Sequence, residues 1–114
     1  MITGNTKDEP GAANGTNKTV SQYFSSLNST YGSLAPQFFK AYPASNTTQA
    51  SMNINILARD TSLVGSWNFG NNWSKSASSP FYNYYWDHAP PGQDQRAHHM
   101  SEITYVFNNL YGTD

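Results

Sequence analysis

Residues 81–107 read FYNYYWDHAPPGQDQRAHHMSEITYVF, and three kinds of chain follow one another within them. Phe81 to Trp86 is a run of six residues rich in aromatics. Near-continuous bulk of that kind suits a strand buried on both faces of a parallel sheet. A loop stiffened by Pro90 and Pro91 comes next, then the pair His98-His99. Ser101 to Leu110 reads as a helical turn or an extended stretch, with Ile103, Tyr105, Val106 and Phe107 apolar. An imidazole between a buried strand and a helical turn stands where a fold can hold a general base at the edge of a cavity.

Working outward, Met1 to Thr3 reads as the end of another strand, and Gly4 to Gly15 (GNTKDEPGAANG) as a loop dense in turn formers. Lys7-Asp8-Glu9 within it is the only charge cluster for some distance, and its plain reading is a solvated loop tip. Thr19, or Ser21, caps a first helix whose apolar face is Val20, Tyr23, Phe24 and Leu27. A second helix is predicted from Leu34 to Tyr42, with Leu34, Phe38 and Phe39 buried and Pro43 as its stop. Thr47 or Thr48 caps a third, running to Asp60. A further helical segment over 61–76 turns Val64, Trp67 and Phe69 inward, with Gly65 and Gly70 as weak points. Arg59-Asp60 reads either as two exposed charges or as a buried Asp that ties loops together. Two strands joined by a helical crossover make an α/β pattern. Two strands are not a sheet that stands alone, so the expectation is a fragment of a larger α/β fold.

Composition narrows the function classes. The 114 residues make at most one small domain, and six basic side chains against seven acidic ones leave no basic patch for nucleic acid. Only 11 % of residues are charged, and polarity comes from Asn, Ser, Thr, Gln and Tyr, as in secreted proteins. With no cysteine, no disulfide supplements a small core, which again suggests part of a larger one. No apolar run is long enough to span a bilayer, and no signal peptide opens the chain. Five N-glycosylation sequons, at Asn14, Asn17, Asn28, Asn46 and Asn72, favour an extracellular protein.

A carboxylate after one strand and an imidazole after the next form the back half of a hydrolase triad, whose chain order is Ser, acid, His. The motifs are more specific than the spacing. NTKDEPGA, residues 5–12, resembles the NKDEG-type segment that carries the catalytic Glu of the type B carboxylesterase and cholinesterase family, with Glu9 at the matching position. HHMSEITYVF resembles that family's H-x-x-E-I-x-Y-V-F segment and places its catalytic His at His99. Between them, YPASNTTQA, the Arg59-Asp60 pair and YNYYWDHAPPGQDQ resemble fungal members, so the likeness covers essentially the whole chain. It implies an α/β-hydrolase segment of a secreted carboxylic ester hydrolase. Glu9 would be the acid and His99 the base; the substrate is a small carboxylic ester and no cofactor is needed.

The chain departs from the family pattern in four places. Arg96 stands where the family has a small residue, often Gly, and either crowds the loop or pairs with Asp94. His98 replaces Phe or Tyr. Pro10 follows Glu9 and restricts its backbone. No G-x-S-x-G elbow or Gly-rich oxyanion stretch is present, and Ser66 lacks the flanking pattern of a nucleophile. The chain therefore reads as an internal segment, lacking the nucleophile-bearing part and the C-terminal end and inactive alone. A metal site from His88, His98, His99, Asp87 and Asp94 matches no zinc spacing. Tyr82, Tyr84, Tyr85 and Trp86 suit a core strand better than a sugar platform, and Glu102 suits a structural tie behind the His loop. The alternative function is a non-catalytic, secreted cholinesterase-like binding module. An upstream reading frame with the Ser replaced would favour it, and one with G-x-S-x-G would favour the enzyme.

Overall fold

The computed structural model describes residues 1–9 and 17–110. Pro10 and Asn14 lie outside them. Strands β1 (Ile2–Thr6) and β2 (Tyr82–Trp86) pair in parallel, with Ile2 opposite Tyr82 and Thr6 opposite Trp86. Parallel pairing demands a long crossover, and the chain between the strands supplies it in helices. These are α1 (Val20–Tyr31), a 3₁₀ turn at Gly32–Leu34, α2 (Ala35–Ala41) and the 30-residue α3 (Thr47–Ser76). A short α4 (Ile103–Val106) follows the His loop. The architecture is mixed helix and two-stranded parallel sheet.

The chain divides into two compact units, one made of Met1–Asn14 with Ala58–Asp114, the other of Gly15–Leu57. In the second, Thr19 caps α1 as its sequence predicts, with a reciprocal bond between its backbone N–H and the Gln22 side chain. The core forms around Tyr23, Leu27 and Ala50, with Phe24, Phe38, Phe39, Ile54 and Leu57 packed on it. Tyr23 is fully buried, and its hydroxyl donates to the Tyr42 carbonyl at 2.9 Å, so the phenol brings no unpaired polar atom inside. Tyr31 stacks on Phe38 with ring centroids 3.6 Å apart. Leu34, expected in this core, is exposed because it lies in the 3₁₀ turn rather than on the α2 stripe.

Several other expectations are corrected. β1 extends through Gly4, Asn5 and Thr6, whose turn propensity gives way to pairing with Tyr84, Tyr85 and Trp86. α3 is one helix, not two, and Asn46 caps it instead of Thr47 or Thr48: its Oδ1 accepts the Gln49 N–H at 2.9 Å. Gly65 faces open space, whereas Gly70 seats the Phe81 ring, whose nearest carbon would lie 2.5 Å from an added Cβ. Val64, Trp67 and Phe69 are exposed rather than turned into a core, although the Phe69 ring keeps contacts with Trp73 and Phe81. β2 is not buried on both faces either. Tyr82, Tyr84 and Tyr85 are exposed, since β1 is its only partner strand among the described residues. Arg59 and Asp60 are half-buried and pair with each other at 2.9 Å. No helix of the described residues is long and apolar enough to cross a membrane.

Candidate functional site

In a parallel pair, both carboxyl ends lie at the same edge of the sheet, and the loops that leave β1 and β2 are neighbours there. Lys7 N–H donates to the Trp86 carbonyl at 2.9 Å, one step past the last strand rung. The turn Lys7–Glu9 then meets the segment 97–99, to which it is laced by backbone bonds: Asp8 N–H to the Ala97 carbonyl at 2.9 Å and His99 N–H to the Glu9 carbonyl at 3.3 Å. This lacing faces the two side chains towards each other. His99 Nδ1 bonds to Glu9 Oε1, and Thr6 Oγ1 donates to Glu9 Oε2. Glu9 and His99 are 90 residues apart in sequence and in direct contact in the fold.

Both oxygens of the Glu9 carboxylate are thus engaged. Burial pushes the Glu9 pKa up, but the hydrogen bonds from Thr6 and His99, with the charge of the imidazole, outweigh it and hold the group below its ordinary value. An ionised Glu9 keeps the proton of a neutral imidazole on Nδ1 and leaves Nε2 with its lone pair. The His99 side chain is 67 % exposed, and Nε2 has no partner among the described residues. A neutral imidazole oriented from behind, with its far nitrogen free, can accept a proton from a nucleophile and return it to a leaving group.

The depressed Glu9 pKa fixes the sign of an acid dependence. The folded state holds this proton more weakly than the unfolded chain does. The stability Glu9 lends is complete above its ordinary value of 4.5 and is lost as pH falls through the lower folded value. Urea midpoints measured from neutral to strongly acid pH are expected to fall along that limb, and Glu9→Gln to flatten it. An acid limb of the same slope in both proteins would contradict this.

The other histidines have different partners. His98 Nδ1 contacts the Arg96 carbonyl at 3.1 Å, so it is a loop residue with a polar contact. His88 Nε2 bonds to the Tyr105 hydroxyl at 2.9 Å, and its ring packs edge-on to Trp86 and Tyr105. Asp87 pairs with Lys7 at 2.7 Å. Among the described residues no three of His, Asp and Glu are gathered as a metal would require. Glu102 lies three residues after His99 and accepts the Tyr84 hydroxyl at 3.2 Å, a tie between β2 and the His loop. The exposed sequon residues are Asn17, Asn28, Asn46 and Asn72. Asn28 lies within α1 and Asn72 within α3.

Arg96 adopts φ 59° and Met100 φ 68°, so two left-handed residues bracket the segment that carries the histidines. No ion pair joins Arg96 to Asp94 among the described residues. The left-handed backbone is a physical reason for a glycine at position 96, since a Cβ there costs about 1–2 kcal/mol. Arg96→Gly removes that cost but frees the unfolded chain by about 0.4–1 kcal/mol. The expected net is a gain of up to about 1.6 kcal/mol, read as a higher urea midpoint. A lower midpoint would mean that the Arg96 side chain stabilises the loop.

Thr6 carries no motif of its own, although a Thr three residues before an acid across a tight turn is a recognisable spacing for a hydroxyl-to-carboxylate bond. Asp8, in the Lys7–Glu9 cluster whose plain reading is a solvated tip, is half-buried. No family model, curated protein or solved structure matches the chain.

Proposed function

We propose that this chain is the acid-and-base portion of a secreted carboxylic ester hydrolase with an α/β-hydrolase fold. The observation that carries the reading is the contact of Glu9 with His99 at the carboxyl ends of two neighbouring parallel strands. The two residues are those that the family-like motifs single out. In this reading, a serine outside the chain supplies the nucleophile. His99 Nε2 takes the serine proton as the oxygen attacks the ester carbonyl, and returns it to the departing alkoxide. It then takes a proton from the water that attacks the acyl-enzyme carbonyl and passes it to the departing serine oxygen. Glu9 stays ionised throughout, holding Nδ1–H and stabilising the imidazolium that forms at each step. Pocket walls and oxyanion donors belong to the same absent portion.

The exposed aromatics of β2 and the sheet edges that stay unpaired among the described residues are consistent with further strands completing it. On this reading, the 114-residue chain alone hydrolyses a simple aryl ester no faster than buffer with free imidazole, because nucleophile and oxyanion hole supply most of the rate. Joined to a G-x-S-x-G-bearing segment encoded upstream in the same frame, it gains esterase activity. Turnover by the isolated chain that His99→Ala abolishes would refute the division of labour. An upstream frame in which the serine is replaced would refute the enzymatic reading itself.

A further inference from the structure

We propose that Asp8 is a positioning residue for the Glu9–His99 pair, acting by gripping Ala97 at both of its backbone polar groups. The proposal rests on the reading of Glu9 and His99 as acid and base. Asp8 N–H donates to the Ala97 carbonyl at 2.9 Å, and Asp8 Oδ2 accepts the Ala97 N–H at 3.3 Å. One residue thus satisfies both peptide groups of a partner 89 positions away. Ala97 is 1 % exposed, so water cannot replace either bond, and a buried peptide group left unpaired is costly.

The position of Ala97 decides that of His99. The two are separated only by His98, and the segment is bracketed by left-handed Arg96 and Met100. Both bracketing residues hold a backbone conformation that is unfavourable for a residue with a side chain, so the segment needs tertiary bonds to keep it. Held at Ala97, it delivers the His99 N–H to the Glu9 carbonyl and, through it, the imidazole to the carboxylate. The next residue of the turn, Glu9, supplies the chemistry, while Asp8 supplies the register in which the two loops meet.

The test is proton and nitrogen NMR of the full 114-residue chain, reading the downfield resonance of the His99 Nδ1–H and the exchange rate of the Ala97 amide. Asp8→Ala is expected to abolish the first and accelerate the second at least tenfold while far-UV circular dichroism is unchanged. Asp8→Asn, which retains an acceptor at the same distance, is expected to restore both. A general loss of stability would not discriminate between these substitutions by their acceptor. If Asp8→Ala unfolds the chain, Asp8→Glu takes its place, since it keeps the charge and moves the acceptor by one methylene. Retention of the His99 signal with unchanged Ala97 exchange in the substituted chain overturns the proposal. If the unsubstituted chain lacks the His99 signal, the acid–base reading fails. The Ala97 exchange rate then decides the grip by the same tenfold criterion.

Discussion

His99→Ala, made in a polypeptide that joins this segment to a serine-bearing one, is expected to lower kcat by about 10⁴–10⁶-fold with KM little changed. In the proposed mechanism the imidazole makes its decisive contact only as the proton moves, so its removal would cost the transition state and spare the bound ester. Glu9→Gln is expected to cost about 10⁴-fold. The amide keeps the size of the carboxylate but loses the charge that fixes the proton on Nδ1 and steadies the imidazolium. Because the two groups act as one unit, the double substitution should cost little more than His99→Ala alone. His98→Ala, by contrast, removes a side chain whose partner is the Arg96 carbonyl and leaves the Glu9–His99 bond intact, so it is expected to stay within about tenfold. Aryl ester turnover at saturating substrate decides the matter. A His99→Ala protein within tenfold of its parent would remove the role assigned to the pair.

The Glu9–His99 contact was legible where short motifs mark its two residues. Glu9 and His99 stand in segments whose residue types and order resemble one family's, and the fold brings these two side chains together. The bonds of Thr6 and Asp8 were not legible, because they depend on a turn geometry that exists only once β1 pairs with β2. The same pairing explains the misjudged end of β1. Gly4, Asn5 and Thr6 have the local preferences of a loop, and the parallel register with Tyr84, Tyr85 and Trp86 overrides them. Helix α1 was legible in its start and its face, since a capping box and an apolar stripe are local signals. The continuity of α3 was not, for Gly65 and Gly70 are breakers by propensity and only the packing of Phe81 gives Gly70 its purpose. Burial of β2 was inferred from bulk, which reports what a strand is suited to pack against rather than what lies beside it.

Gly4→Val is expected to destabilise the sheet by about 2–3 kcal/mol, through overpacking offset in part by the better strand propensity of valine. Gly4 faces Tyr84 in the register, and the Tyr84 ring lies across it where a Cβ would overlap the phenol carbons. Glycine in a strand is unfavourable by roughly 0.5–1 kcal/mol against alanine, so close approach is its use here. A valine must push the ring aside. The phenol hydroxyl then leaves Glu102, and the tie between β2 and the chain just after His99 is lost. Burial raises the Tyr84 pKa, and the carboxylates of Glu102 and Glu9 raise it further, so the displaced hydroxyl is a donor that both acids favour protonated. The loss of that bond adds a smaller amount, because Tyr84 is partly exposed and water can replace its partner. The urea midpoint of Gly4→Val should therefore fall below that of Tyr84→Phe, which removes the bond without moving the ring. In the double variant with Tyr84→Ala the clash has no ring to act on, and the two costs should not add. Additive costs, or a Gly4→Val chain as stable as its parent, would mean that the ring does not rest on the strand.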